Sequence, residues 1–430
     1  MTGIREATNL SAHLGVPLDR PLRVALVGLG GRGSIYSDII TTDHRGAAEI
    51  VQVAEPRPQQ RGEVAGSLGL GQSATFSSWQ DLVAADRIAD AVIITTQDRD
   101  HRPAIEAFAD AGYDILSEKP LAGTEAECVA AVAAASAADV FLGVCHVLRY
   151  SPNTLRIRSL LEHGAIGDIV AVHHLEPVGW FHFAHSFVRG PWRREDESGP
   201  MLLTKSCHDL DWLSYIVGSP AARISSFGSR TLFTADHKPA EASDRCTTCV
   251  IERECAYSAV VMYRAGLDPE RIEAYFTRGI APAMTAAAVD EALRTGPYGR
   301  CVYSSDNDVV DHQVVNVEYA NGVTAAFTVV AATRHEDRRT SIFGSRGQLT
   351  TDGSTVEVYD FLRRDTTTYD VTGDGTGHGG GDGAMLGAFL DAVRFGEPER
   401  FSSHGAASLA THRLVFAAER SRTSGTVVEL

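Results

Sequence analysis

The sequence predicts an α/β chain: an N-terminal doubly wound domain on a parallel sheet, then an α+β domain with a large, mainly antiparallel sheet. Three observations carry this. From Leu22 to about Val147, short apolar runs alternate with helix-like stretches, the signature of strand–helix–strand units around a buried sheet. After Ser151 the strand-like runs lengthen and alternate apolar with polar side chains, as antiparallel strands with one open face do. At 430 residues the chain exceeds one ordinary domain.

Residues 1–21 lack periodicity and contain Pro17 and Pro21, so they read as an arm. The first domain is expected over 22–150, with strands near Arg23–Val27, Ile50–Ala54, Ala91–Thr95, Asp114–Ser117 and Phe141–Val144. Between the last two, Thr124 and Glu127 have capping-box spacing ahead of an alanine-rich run, predicting a helix over 124–138. The second domain is expected over 151–430. Its strand candidates are Ile169–Leu175, Arg223–Phe233, Val314–Tyr319, Val323–Val330 and Thr355–Phe361, the third and fourth joined by Asn321-Gly322, a hairpin signal. An insertion occupies about 234–300, the glycine cluster Gly373–Gly383 reads as a loop, and helices over 384–421 close the chain.

The first strand ends in Val-Gly-Leu-Gly-Gly-Arg-Gly, with glycines at 28, 30 and 33 in G-x-G-x-x-G spacing. In a Rossmann dinucleotide site Gly28 makes the tight turn, Gly30 lets backbone approach a pyrophosphate, and Gly33 lets helix and strand pack closely. Gly31 and Arg32 would lie at the helix start, where free N–H groups favour phosphate. Glu55 ends the second apolar run, where a carboxylate accepts ribose hydroxyls and repels a 2′-phosphate. That favours NAD, although Arg57 nearby leaves NADP open.

Composition excludes other classes. A net charge of −16, from 39 basic and 55 acidic residues, argues against a nucleic-acid partner. No apolar stretch approaches the roughly 20 residues needed to span a bilayer, and no secretory signal is evident. A cytoplasmic location is the expectation. An open sheet face suggests a homo-oligomer, dimer or tetramer.

Four motifs add chemistry. Ser117-Glu118-Lys119-Pro120 follows a strand, placing Lys119 at the carboxyl edge of the sheet. Thr95-Thr96-Gln97 with His101 follows the preceding strand. Ser198–Trp212 contains His208, and Gly344-x-x-Gly347 forms a turn. In this combination the chain resembles the Gfo/Idh/MocA family of sugar oxidoreductases, from Leu22 nearly to the end. The resemblance implies NAD held by Gly28, Gly30, Gly31, Arg32, Gly33, Glu55, Thr96, Gln97, His101, Glu118 and Lys119. It further implies that Lys119 and His208 move the proton of a sugar hydroxyl while the nicotinamide takes the hydride. The family's aspartate four residues before the histidine is Thr204 here, a departure; Lys205 and Asp209 flank the histidine instead.

Further substrate candidates are Arg149, Tyr150, Trp192, Arg193, His378 and Asp382, together with Lys205 and Asp209. Trp192 offers a flat apolar face for a pyranose. The cluster of Arg189, Arg193, Arg194 and Lys205 suggests a positive pocket and hence an anionic sugar. Cys246-x-x-Cys249, with Cys255 and Cys301, has the ligand count of a tetrahedral structural zinc, while Cys128, Cys145 and Cys207 read as small buried apolar residues. The expected function is NAD-dependent oxidation of a secondary hydroxyl, carbon 3 being one choice, of a sugar or glycoside. The alternatives are a glycoside hydrolase that recycles its NAD through carbon-3 oxidation, elimination, water addition and re-reduction, and a non-catalytic dinucleotide sensor.

Overall fold

The structure is a computed structural model, and it describes residues 20–281, 283–334, 337–373 and 377–430, without the side chains of 377 and 378. The chain forms two compact units. One runs to Glu162 and takes in Leu210–Ile216 and Asp370–Arg413; the other holds His163–Asp209, Val217–Tyr369 and Leu414–Leu430.

The first unit is built on six strands: β1 (Leu22–Val27), β2 (Ala48–Ala54), β3 (Thr75–Phe76), β4 (Ala91–Ile94), β5 (Asp114–Ser117) and β6 (Leu142–Val144). Their order is β3-β2-β1-β4-β5-β6, with every pair parallel. The sequence explains why: Leu-Arg-Val-Ala-Leu-Val and Ala-Val-Ile-Ile are near-continuous apolar runs, and β4 is buried throughout, as strands covered on both faces require. Each fully buried Val, Leu or Ile contributes about 1.5–3 kcal/mol. The winding reverses between β1 and β4, so the crevice outside their carboxyl ends is where a ligand of such a sheet binds. The expected helix is present as Glu125–Ala137, with the Thr124 hydroxyl accepting from Glu127 N–H.

The assignment of the closing helices needs correction. Met385, Leu386, Phe389 and Leu390 of helix Gly381–Phe395, with Phe401, pack in one core with Leu22, Val24 and Leu26 of β1. Segment 370–413 therefore belongs to the dinucleotide-type unit rather than to the antiparallel one. The helix begins at Gly381, inside the expected glycine loop, after Gly380 at φ +86°.

The second unit carries a nine-stranded sheet: β7 (Ile169–Pro177), β8 (Ala221–Ser229), β9 (His312–Tyr319), β10 (Thr324–Val330), β11 (Arg339–Gly344), β12 (Gly347–Thr351), β13 (Thr355–Asp360), β14 (Asp365–Asp370) and β15 (Val428–Glu429). The order is β14-β13-β12-β11-β7-β10-β9-β8-β15. The pair β7–β10 at its centre is parallel, and β7–β11, β9–β10, β8–β9, β11–β12 and β12–β13 are antiparallel. Asn321-Gly322 makes the β9–β10 hairpin, with Gly322 at φ +86°. Strand β8 stops at Ser229 rather than at Phe233 because the Asp311 carboxylate takes the N–H groups of Thr231 and Leu232 at 2.9 and 2.6 Å.

The insertion folds as a helical subdomain. Helices Ala259–Ala265, Glu273–Arg278 and Ala286–Thr295 enclose a small core of Ala259, Met262, Tyr263, Phe276, Val289 and Leu293, with Phe181 and Cys246. Among the described residues no helix is long and apolar enough to cross a membrane.

Candidate dinucleotide and catalytic site

The loop after β1 shows which glycines are structural. Gly28 has φ +85°, and a Cβ there would meet Thr95 O at 2.5 Å; a Cβ on Gly33 would meet Gly28 O at 2.0 Å. The Thr95 hydroxyl clips the end of β4 to this turn through Val27 O and Gly28 O, at 3.0 and 2.5 Å. Gly30 differs: a Cβ would meet nothing nearer than Arg57 Nη2 at 3.8 Å. Its flank is open, as backbone that approaches a ligand must be. Gly31 opens helix Gly31–Thr42, so its N–H and those just after it have no intrahelical acceptor. Beside β4, the buried Thr96 Oγ1 has no hydrogen-bond partner in the chain, and Gln97 is exposed at the cap of helix Asp98–Asp110. These features fit a dinucleotide. Gly33→Ala is expected to cost about 1–3 kcal/mol through the backbone clash, whereas Gly30→Ala leaves stability nearly unchanged and weakens NAD binding. Thermal unfolding and NAD titration check the pair; equal unfolding losses would contradict it.

Glu55 is almost wholly buried. It accepts from Leu29 N–H at 2.8 Å, from Arg57 N–H at 3.0 Å, and from the Arg57 guanidinium at 2.7 and 3.0 Å. Burial opposes its charge, but these donors outweigh it and hold the carboxyl below its ordinary range.

Arg32, Glu118 and Asp382, expected on cofactor or substrate, bind one another. Arg32 Nε donates to Glu118 at 2.7 Å, its terminal nitrogens to Asp382 at 3.1 and 2.5 Å, and Tyr36 OH to Glu118 at 2.7 Å. Asp382 is fully buried. Burial disfavours the charge on Glu118, yet Arg32, Lys119 and Tyr36 keep its carboxyl below the usual value. The group fastens the glycine-loop helix to helix Gly381–Phe395 instead of offering itself to a ligand. The side chain of His378 lies outside the described residues.

The Glu118-Lys119-Pro120 segment is clamped. The Lys119–Pro120 peptide is cis, and Lys119 is half-buried. His101, fully buried, stands with Nδ1 2.6 Å from Pro120 O and Nε2 3.3 Å from Thr96 O, so it ties two loops together. Leu121 N–H donates to His412 Nε2 at 3.0 Å, and His412 Nδ1 donates to Ser408 O at 2.7 Å, which makes His412 a neutral ring. His146 Nε2 lies 2.9 Å from Ser408 Oγ.

Burial drives His146 from 6.5 down to about 3 and His412 to about 4, and in the second unit His185 to about 3. Unfolded, each takes a proton as pH falls below about 6.5; folded, none does until about 4 or 3. The unfolded state thus binds more protons in that window, and stability falls with pH by up to about 1.4 kcal/mol per unit per histidine. Urea unfolding at pH 7 and pH 5 checks this; an unchanged midpoint refutes it.

Arg149 and Tyr150, expected at the substrate, are buried with partners inside the first unit. Arg149 holds Asp211 through two bonds of 2.7 and 2.6 Å and donates to Ser402 O at 2.5 Å, both side chains being buried. Tyr150 OH contacts Ser403, and its ring stacks on Phe401.

In the second unit, His208 lies in helix Cys207–Val217 and is 4% exposed. Thr204 ends the short helix Met201–Thr204, its hydroxyl turned back to Pro200 O and Met201 O. Asp209 is fully buried: it accepts from Arg338 Nε at 2.5 Å and stands 3.1 Å from His174 Nε2. Burial opposes this charge, and Arg338 and His174 override it, holding the carboxyl far below its ordinary range. Glu176 completes the group, bridging Arg338 at 3.0 Å and Lys205 at 3.1 Å. Lys205 and Asp209 are therefore internal partners. Three of the four cations of the expected positive pocket, Arg193, Arg194 and Lys205, have carboxylate partners, and Arg189 has carbonyl partners instead. Arg193 pairs with Asp306 and Glu197, Arg194 pairs with Asp196, and the buried Arg189 donates to Arg300 O and Tyr257 O. Trp192 is half-buried beside Phe187. Cys128, Cys145 and Cys207 are fully buried, as expected. Among the described residues no group of three or more His, Cys, Asp or Glu stands in an arrangement that holds a metal ion.

The family description "Oxidoreductase family, NAD-binding Rossmann fold" matches residues 22–146, and "GFO/IDH/MocA C-terminal domain" matches 154–350. The chain belongs to the Gfo/Idh/MocA oxidoreductase family. Curated relatives include the inositol 2-dehydrogenase of Corynebacterium glutamicum strain R, 29% identical over 209 residues, covering 48% of this chain and 57% of that one. Another is the 1,5-anhydro-D-fructose reductase of Ensifer adhaerens, 30% identical over 198 residues, covering 45% and 57%. The chain thus spans rather more than half the length of these relatives. Among solved structures, an oxidoreductase of Agrobacterium radiobacter in complex with NAD+, L-tartaric acid and magnesium superposes with a TM-score of 0.70 at 19% identity, covering 95% of this chain and 98% of that one. The aldose-aldose oxidoreductase of Caulobacter crescentus gives 0.68 at 16%, covering 96% and 100%.

Within this Gfo/Idh/MocA chain, sequence reasoning missed Tyr36, His146, Asp211 and His412 in the first unit and His174, Glu176 and Arg338 in the second. Tyr36 had a signal: it falls four residues after Arg32, on the same helix face, and Arg32 sits over its ring at 4.6 Å. Asp211 lies inside the Ser198–Trp212 motif, and the others gave no signal.

Proposed function

We propose that this chain oxidises a secondary hydroxyl of a neutral cyclic polyol or sugar, using NAD, with Lys119 and His208 as the groups that handle the hydroxyl proton. The glycine loop carries the reading: Gly28 and Gly33 admit no side chain, Gly30 leaves its flank open, and Thr96 Oγ1 is buried without a partner. Those residues with Gly31 and Gln97 would hold the cofactor. Glu55, kept ionised, would take ribose hydroxyls once the exposed Arg57 guanidinium swings off it, and would disfavour a 2′-phosphate. When bound, NAD supplies the hydride acceptor. Lys119 and His208 would take the proton of the hydroxyl whose carbon gives up the hydride, leaving a ketone.

Neutral substrates are favoured because Arg149, Arg193, Arg194 and Lys205 already have carboxylate partners. The relatives' names, inositol and anhydrofructose, point the same way. Carbon 3 of a pyranose is the centre to assay first, since oxidation there also serves the NAD-recycling glycosidase. That alternative loses one support, because Asp382 is committed to Arg32. The decisive assay is NADH absorbance with inositols, neutral pyranoses and sugar acids. Stoichiometric NADH from neutral substrates is expected. Preference for acids overturns the substrate class, and sugar release without net NADH overturns the dehydrogenase. A homo-oligomer is expected to pair through the open face of the nine-stranded sheet, where Phe227 and Tyr359 stay exposed; a monomer by light scattering would refute this.

A further inference from the structure

We propose that Cys246, Cys249, Cys255 and Cys301 of the second unit form a four-thiolate site for one thiophilic divalent cation of the zinc type. The inference is independent of the dinucleotide chemistry, which asks nothing of these residues.

All four line the wall of a single cavity of ≈ 20 Å³, little more than the space of one water-sized body. The backbone puts them there. Arg245 and Arg300 form an isolated antiparallel bridge, and Cys301 N–H donates to Asp244 O at 2.9 Å, so Cys246 and Cys301 flank one two-stranded knuckle. Cys249 closes a tight turn on Cys246, N–H to carbonyl 3.3 Å, and Cys255 closes a second on Glu252 at 3.4 Å. The knuckle is held rigidly: a Cβ on Gly299 would meet Leu293 O at 1.7 Å, and Arg245 Nη2 donates to Leu293 O and Gly296 O at 2.6 and 2.5 Å. Two cysteine-bearing turns facing a knuckle supply the ligand count and spacing of a structural zinc site.

The surroundings suit the charge. Arg189, buried and fixed by two carbonyls, has Nη2 3.6 Å from Cys246 Sγ. A tetrathiolate with a divalent cation carries two net negative charges, and this guanidinium offsets part of them. On binding, each ligating thiol forms a sulfur–metal bond and releases its proton to solvent, with no change of oxidation state. No three of these side chains already converge closely enough to hold an ion, so the sulfurs must turn inward about their side-chain torsions. Cys246 also packs on the insertion's apolar core, which folds that segment without the ion. The cation is a staple, not a nucleus.

The test uses the full chain, reduced and chelator-stripped, titrated with Co²⁺ and then Zn²⁺. We expect one equivalent of Co²⁺ to bind with the sulfur-to-cobalt charge-transfer and d–d bands of a tetrahedral thiolate site. Zn²⁺ should displace it, and affinity should rise with pH. Cys249→Ser and Cys255→Ser, both at partly exposed positions, should lose at least about tenfold in affinity while circular dichroism shows them folded. Reduced protein that gives no thiolate–cobalt bands overturns the proposal. So does a disulfide among the four in the protein as isolated.

Discussion

Lys119→Ala is expected to cut turnover by roughly 10²–10⁴-fold, the range that a positioned acid/base group contributes. The lysine is half-buried, so its removal leaves no large cavity and the folded state persists. Its backbone is fixed on the following side, Pro120 O by His101 and Leu121 N–H by the neutral His412. That clamp predefines where the ammonium can reach, which is what separates a catalytic lysine from a solvated one. His208→Ala is expected to fall in the same range, and the double variant to fall little further, because groups that act on one proton are not additive. Single-turnover NADH formation checks this; a residual rate within tenfold of the parent removes Lys119 from the chemistry.

Asp211→Ala is expected to destabilise the first unit by about 3–5 kcal/mol, the cost of stranding a buried charge. Asp211 is fully buried; it accepts both Arg149 nitrogens and the Thr411 hydroxyl at 2.9 Å. Burial opposes its ionisation, but Arg149 and Thr411 hold the carboxyl below its usual value. Without it the Arg149 guanidinium stays enclosed, its remaining partners Ser402 O and the Tyr215 ring, 4.7 Å away, being uncharged. Asp211→Asn keeps the shape and one acceptor oxygen but turns an amide N–H toward the guanidinium, so it should recover only part of the loss. The exposed pair Arg264–Asp290, at 2.8 Å, is the control: its removal should cost under about 1 kcal/mol. Urea unfolding of the three variants decides, and a loss for Asp211→Ala equal to the control's refutes the buried-charge account.

The sequence by itself determined what local patterns govern. Unbroken apolar runs at β1 and β4 set a buried parallel sheet, Gly28 is required by its own positive φ and Gly33 by a contact within the same turn, and Asn321-Gly322 sets a hairpin by its backbone preference. The Glu-Lys-Pro segment at the end of β5 was legible for the same reason. What only the tertiary structure decided is who partners whom. Arg32, Arg149, Arg193, Lys205, Asp209 and Asp382 look like ligand-binding residues in the sequence. Each is instead neutralised by a residue that folding brings near, Asp382 from 350 positions away from Arg32. Charge is visible in a sequence, but its compensation is a property of distance in space. The return of 370–413 to the first unit follows the same logic, because an apolar helix face carries no label saying which sheet it will cover.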